Sequence, residues 1–495
     1  MGWMLGLSQA TGLTDQERND IEAMASKFGD YRRRNETIDA YYEGDVRPRP
    51  IGPDTLMKQV ELDMDISCDW PRKAVHALAN LVRFDGFVFE GEADEGLEAA
   101  MRRCGFAAAF SRHRVGMLKN GCMFATVGME GGRAYVRMHS ANSGTAIMDA
   151  TTERMRCGMV VAESRPTEWS PRRAVPTQVN YHAPGRLVAI RRTAPSQWVA
   201  EGADLPDDTC LMVPFAYRPT DTKPLGGTRI GQQVRDLVND VLHLRQVLAL
   251  SCELYAIPMR YIVGLTAANM EALKQDPKWA IYLNPLFVAT RDAKSGKTPE
   301  LGQLPANSPA ALLELIYADA KMFASATGIP LNSLGIVQDN PSSAEAIAEG
   351  RKDLTDEAQD LIDGQLKPAL AEVARLVMMV EHNLTRDQLS PEQLSVGARF
   401  KNPAMPSIAA STDAAMKIAT VNPEFAGTDV FFEMVGFDAE TRRRIRTEMR
   451  MNRMRANTPS LLGNTLSLNQ QRQQGVPDGN LLSAPSEGDD ADIAQ

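Results

Sequence analysis

The sequence predicts an α+β fold, and three observations predict it. β-prone runs punctuated by turn residues crowd into residues 120–218, whereas helical spacing of apolar residues governs most of what lies on either side. Two long helical stretches, Arg229–Leu254 and Ser308–Thr327, flank a compact insertion. The stretch TGIPLNSLGIVQDNPSSAEAIAEG, from Thr327 to Gly350, joins a helix-breaking hinge to a restarted helix and carries no chemical motif, so its contribution is geometric.

A chain of 495 residues has the length for several domains. Hydrophobic residues at 43% and charged residues at 24% are the proportions of a folded chain. The formal net charge of -9 argues against a simple nucleic-acid-binding module, because such binding rests on Lys and Arg neutralising phosphates. It is compatible with letting DNA pass, since an acidic or neutral lining reduces sticking. Six cysteines are scattered without a CxxC pair and the first residues show no basic flank followed by an apolar segment, which reads as reduced thiols in a cytosolic chain. The longest apolar runs, such as Leu376–Val380, fall far short of the ~20 residues that span a bilayer, so no membrane partner is expected.

Along the chain, residues 15–43 read as a helix with Asp15 as its cap, apolar positions at Ile21, Met24, Phe28 and Ile38, and Gly44 as its end. Pro71 fits the first turn of a second helix whose buried face is Ala74, Val75, Leu78, Ala79 and Val82. A third helix is expected over Asp94–Lys119, then a hairpin in CMFATVGMEGGRAYVRMHS around its EGG turn. Further strands fall in MRCGMVVAES, TQVNYHAPGRLVAIRR, SQWVA and CLMVPFAYRP. The helix from Arg229 to Leu254 spans about 39 Å at ~1.5 Å per residue. Its apolar stripe includes Val234, Val241 and Leu248.

After the second long helix, Gly328 and Pro330 break the pattern, and a helix restarting near Ala344 runs toward His382 with a kink at Pro368. Its outer face carries Glu345, Glu349, Asp353, Asp356, Glu357 and Asp360, which suits either a solvated face or a channel wall. The alanine-rich IAASTDAAMKIATV is helical, and so is the stretch Asp438–Arg455, with seven arginines in AETRRRIRTEMRMNRMR. Residues 461–495, rich in Gln, Asn, Ser, Gly and Asp, read as a disordered tail. None of the six histidines has a partner at metal-ligand spacing, and GxGxxG, GxxxxGK[ST] and GxSxG are all missing, so neither an enzyme nor a cofactor is expected.

The order of YYEGDVRPRP, DWPRKAVHALANLVRFDGF, ELYAIPMRYIVG, QLPANSPAALLELI, ATGIPLNSLG and NPSSAEAI resembles the bacteriophage portal proteins of the SPP1-type family. The resemblance implies an elongated portal fold. Residues 1–228 form an α+β wing, 229–257 a first stem helix, 258–304 a small α/β clip and 305–327 a second stem helix. A tunnel loop at 328–341 contributes Ile329, Pro330, Leu331, Leu334 and Gln338; a long wing helix with its following segment fills 342–400, and a helical crown 401–460. The acidic residues Glu345, Glu349, Asp353, Asp356 and Asp360 are then candidates for the channel wall. The resemblance also implies a homo-oligomeric ring of twelve subunits at one capsid vertex of the virion, passing double-stranded DNA during packaging and ejection. In such a ring Val234, Val241 and Leu248 would form part of the subunit contact. Its partners would be the terminase large subunit, the major capsid and scaffolding proteins, and a head-completion adaptor. Two other readings stay open: a different head-to-tail connector or scaffold, which would lack the long-helix/clip/long-helix order, and an enzyme with a polar pocket around His113 or His182.

Overall fold

The computed structural model describes residues 4, 6–48, 66–90, 94–168, 170–206, 208–256, 260–263, 300–303, 309–336, 350–404, 408–437 and 439–457. The chain divides into two compact units, Met1–Ala404 and Met405–Gln495.

The first unit begins with helix α1 (Asp15–Glu43). Thr14, one residue earlier than expected, is its cap: Glu17 N donates to Thr14 Oγ1 at 3.3 Å while Thr14 N donates to Glu17 Oε2 at 2.8 Å. This reciprocal pair satisfies two amides that the first turn would otherwise leave unbonded. α2 (Trp70–Leu81) starts with Pro71 in its first turn and buries the predicted face. Where one helix over 94–119 is expected, there are two, α3 (Glu95–Arg103) and α4 (Phe106–Asn120). The break is Gly105, whose φ of 59 is left-handed and ends the first helix before the second begins.

The predicted hairpin forms from β2 (Cys122–Glu130) and β3 (Arg133–Ser140), closed by Gly131 and Gly132, both at positive φ as a two-residue type I′ turn requires. β9 (Met212–Ala216) pairs with the other edge of β2, giving a three-stranded sheet in the order β3-β2-β9. β4 (Gly144–Met148), β5 (Met155–Thr167), β6 (Ser170–Ala183), β7 (Arg186–Ala194) and β8 (Gln197–Asp204) form a five-stranded antiparallel meander. Ile21, Met24 and Phe28 of α1 pack with Met159, Tyr181 and Ile190 of that meander, while Ile38 near its other end enters the main core. α1 therefore clamps the meander to the rest of the unit. Polar bonds reinforce it, because Asp20 accepts from Tyr181 Oη at 3.0 Å and from Arg156 at 2.7 Å.

α5 (Gln232–Ala256) and α6 (Ala310–Thr327) are the two long helices, packed against each other. Between them the described residues are an antiparallel ribbon of β10 (Arg260–Val263) and β11 (Glu300–Gln303); the rest of the expected clip lies outside the described residues. After α6 come a 3-10 turn at Leu331–Leu334 and then α7 (Lys352–Leu361), a π-helical turn at Ile362–Leu366, and α8 (Lys367–His382). The expected irregularity at Pro368 appears as that π turn, which accommodates a residue lacking the N–H that a regular helix would use. α8 is the central rod of the core: Leu370, Val373, Ala374, Leu376, Val377 and Met378 are buried. Each larger side chain among them contributes about 2 kcal/mol of apolar burial.

Helix α9 (Pro391–Leu394) follows, and β12 (Gly397–Phe400) then pairs antiparallel with β1 (Phe84–Val88). Phe84, Phe87, Phe106, Phe110 and Phe400 gather around that ribbon, with ring centroids 5.1 to 6.2 Å apart. No described helix is long and apolar enough to cross a membrane.

The second unit contains α10 (Ile408–Val421), α11 (Asp429–Val435) and α12 (Ala439–Asn457). Two arginines of the basic α12 are used within the unit. Arg442, buried, donates to Glu433 at 2.9 Å, and Arg446 lies 2.6 Å from Asp429. The expected tail at 461–495 lies outside the described residues.

Candidate functional site at the root of the long helices

Between β9 and α5 the chain passes through Leu225-Gly226-Gly227-Thr228-Arg229. Gly226 has φ 81, and a Cβ there would lie 2.4 Å from Tyr217 O and 2.6 Å from Gly121 O, so glycine is required both by conformation and by space. That close approach lets Gly227 N donate to Tyr217 O at 2.8 Å and Arg229 N to Leu118 O at 2.9 Å. Arg229 is thereby delivered into the interior, with its side chain only 3% exposed.

Its guanidinium joins four parts of the fold. Nε donates to Ala74 O in α2 at 2.9 Å. Nη1 donates to both carboxylate oxygens of Glu357 in α7 at 2.6 Å and to Tyr217 Oη at 3.1 Å. Nη2 donates to the carbonyl of Thr327, the last residue of α6. Tyr217 Oη also donates to the Glu357 carboxylate, and burial above all, with that carboxylate beside it, pushes the phenol up to about 12. The exposed Arg218 reaches Glu357 at 2.9 Å from outside.

The chemistry of this node is mechanical. The end of α6 leaves backbone carbonyls without helical partners and carries the negative end of the helix dipole, and a guanidinium satisfies one and complements the other. Gly328, at φ 66, turns the chain away immediately afterwards. A buried ion pair adds little net stability compared with a well-packed apolar pair, but removing one partner strands the other. The node therefore fixes where α5 starts, where α6 ends and how α7 leaves, and it penalises any rearrangement that separates them. Sequence reading placed Arg229 as the first residue of a helix and Glu357 on a solvated acidic face. The available signal was the Gly-Gly-Thr-Arg run, in which one charge immediately precedes the apolar stripe of a long helix.

The structure redistributes the expected site residues. Ile329 and Leu334 are buried in the protomer core, 3% and 8% exposed, so they anchor the loop after α6 and do not project into a channel; apolar side chains beside a helix end gain more from the core than from solvent. Pro330 and Leu331 are half-buried beside them, and Gln338 lies outside the described residues. Asp353, Asp356 and Asp360 share the exposed side of α7, whereas Glu345 and Glu349 lie outside the described residues. Val234 and Val241 are 5% and 2% exposed, packed in the protomer's own core, which corrects their placement at a subunit interface. Leu248, farther along α5, is half-buried. On α6, Leu313, Leu315, Tyr317 and Met322 are exposed, an apolar set missed because helical periodicity marks apolar residues without telling which partner covers them. His113 bonds Ala109 O at 2.9 Å through Nδ1 and lines a groove with Arg112 and Arg133, whereas His182 is buried.

No protein-family model matches the chain. It is 24% identical over 419 residues to the portal protein of Mycobacterium phage D29, covering 80% of this chain and 81% of the relative. To the portal protein of Mycobacterium phage L5 it is 23% identical over 421 residues, with the same coverages of 80% and 81%. Among solved structures it resembles a chain from the neck of a native gene transfer agent particle computed with C12 symmetry, at TM-score 0.36 and 15% identity, over 78% of this chain and 96% of that one. A chain from the virion of a native gene transfer agent particle gives TM-score 0.38 and 14% identity, over 78% and 95%. The chain is thus similar along four-fifths of its length to two bacteriophage portal proteins, the class of protein that its motifs resemble.

Proposed function

We propose that this chain is the portal subunit of a bacteriophage, of the SPP1-type arrangement. Copies form a ring, of twelve subunits, at one capsid vertex; double-stranded DNA passes through its centre during packaging and ejection, and terminase and head-completion proteins dock on it. The observation that carries the reading is the similarity to two curated portal proteins along four-fifths of the chain, and not in one motif. The fold supports it through the α5/α6 pair, whose connecting ribbon suits the clip and whose root is held by Arg229. The protein's part is structural and not enzymatic.

A closed ring needs different surfaces on the two sides of each subunit. The exposed apolar side chains of α6 supply one such surface, with Leu248 of α5 as a second candidate contact. Asp353, Asp356 and Asp360 remain the proposed acidic lining, where like-charge repulsion would keep DNA moving. Light scattering together with electron-microscope class averages tests the proposal: closed rings of about twelve subunits with a duplex-wide channel are expected. A stable monomer or dimer across salt conditions would overturn it.

A further inference from the structure

On a chain whose net charge is -9, positive charge collects on both sides of α4. One side is a cleft of about 380 Å³ lined by Asn80, Arg83, Ser111, Arg114 and Lys401, with no carboxylate in its lining. Phe84 and Phe110 form its apolar wall, which weakens the screening that water would provide. Arg114 donates to Val82 O through Nη1, while its Nε is buried without a hydrogen-bond partner. Burial and then the nearby Arg83 hold the Arg114 guanidinium below its usual value. Among the described residues neither Arg83 nor Lys401 forms an ion pair. Arg83 Nε is bonded to Asn80 O at 2.8 Å, and Lys401 N to Arg83 O at 2.9 Å, so the backbone holds these two cations together.

The other side of α4 is a broader groove of about 760 Å³ that includes Arg112, His113, Arg133 and Arg137, with Glu130 as its acidic member. Arg103 also lines it and is paired with Glu381 at 3.2 Å. The ridge between the two clefts presents Ala107, Ala108 and Ser111, exposed and small enough for a broad partner to approach closely.

We infer that α4 and its two basic clefts form a DNA-contact surface distinct from the acidic side of α7, which holds the phosphodiester backbone with Arg83, Arg114 and Lys401 on one side and Arg112 and Arg133 on the other. A cation cluster with neutral amide and hydroxyl donors beside it matches phosphate oxygens. A continuous polyanion engages both clefts at once, which a single acidic side chain of a protein partner does not. Contacts to the phosphodiester backbone carry no base identity, so the expected contact is independent of sequence. The choice of DNA as the polyanion rests on the portal reading.

The test is fluorescence-anisotropy titration of an arbitrary duplex of about 30 base pairs against the full chain over a series of salt concentrations. It compares wild type with Arg83→Gln/Lys401→Gln and with a charge-matched control, Arg32→Gln/Arg191→Gln. The cleft pair is expected to weaken binding at least tenfold and to make the log–log salt dependence shallower by about 2, near one per lost phosphate contact; the control should do neither. Equal losses in both variants, or none in the cleft pair, overturn the inference. So does a polyglutamate peptide whose binding is lost in the cleft pair while duplex binding persists, which would make the partner an acidic protein. Inorganic phosphate should compete no better than chloride at matched ionic strength, and selective competition would overturn the inference in favour of a free-ion site. Mass measured on the same samples separates the two readings: rings with an inert cleft defeat this inference alone, whereas monomers defeat the portal reading.

Discussion

Replacing Arg229 with Ala removes one side chain and takes a donor from four acceptor groups, Ala74 O, Tyr217 Oη, the Glu357 carboxylate and Thr327 O. Glu357 keeps only the partly solvated Arg218 and the Tyr217 hydroxyl, and the carbonyls of Ala74 and Thr327 lose their side-chain donor. Breaking a buried ion pair by deleting one partner costs about 3–5 kcal/mol. An orphaned buried carbonyl adds about 1–3 kcal/mol, reduced here by water entering the space that the side chain vacates. Because Arg218 offsets part of the charge, the expected loss is about 3–5 kcal/mol, against a total stability on the order of 5–15 kcal/mol. Arg229→Lys keeps the charge but not the fork, and should fall about midway. Urea unfolding followed by circular dichroism reads the loss, and a cycle through Glu357→Ala and the double variant reads the coupling, expected at about 2 kcal/mol or more. A loss below about 0.5 kcal/mol for Arg229→Ala, or strict additivity with Glu357→Ala, would refute the node as the joint of the long helices.

Other outcomes follow from separate features. Gly226→Ala forces a Cβ against two carbonyl oxygens at left-handed φ and should destabilise by about 2–3 kcal/mol or more, read as a lower thermal midpoint. His139 and His182 are buried, and burial lowers their values to about 3 and about 4. The unfolded chain then binds more protons than the native state below about pH 6.5, so stability is full above that value and falls toward those lower values as pH drops. By pH 5 the loss is about 2 kcal/mol per histidine, and unfolding free energies equal at pH 5 and pH 8 would contradict this. Leu315→Asp on the exposed face of α6 should yield folded monomers in place of rings by light scattering, whereas Val241→Asp should unfold the protomer because its site is in the core. Lys at Asp353, Asp356 and Asp360 should leave rings intact and slow DNA packaging; unchanged packaged length and rate would remove those residues from the channel.

Much of the fold was legible because the signals were local. Periodicity placed α1, α2, α5 and α6 to within a few residues, and Gly131-Gly132 between two alternating runs fixed a hairpin whose register needs no distant information. Three things were not legible, each for its own reason. The break at Gly105 hides inside a stretch whose periodicity continues on both sides, so only the backbone sign distinguishes one helix from two. β12 is four residues long and becomes a strand only because β1 offers it an edge. Charge pattern put Glu357 with its exposed neighbours Asp356 and Asp360, but one step around a helix turns a side chain by about 100° and separates a solvated acid from a half-buried one that faces the interior. Ile329 and Leu334 were placed in a tunnel loop by resemblance, which carries loop position but not burial, and both are drawn into the core beside the end of α6.

The pairing of Phe84–Val88 with Gly397–Phe400 also sets an order of events during synthesis. The aromatic cluster cannot be completed until Phe400 leaves the ribosome, by which point both long helices and everything between them have emerged. Closing so long a loop is tolerable, since its entropy grows only with the logarithm of length. The last strand of the first unit therefore acts as a latch: a chain truncated before residue 397 would carry most of that unit's described secondary structure and still leave Phe84 and Phe110 without the ring that finishes their cluster.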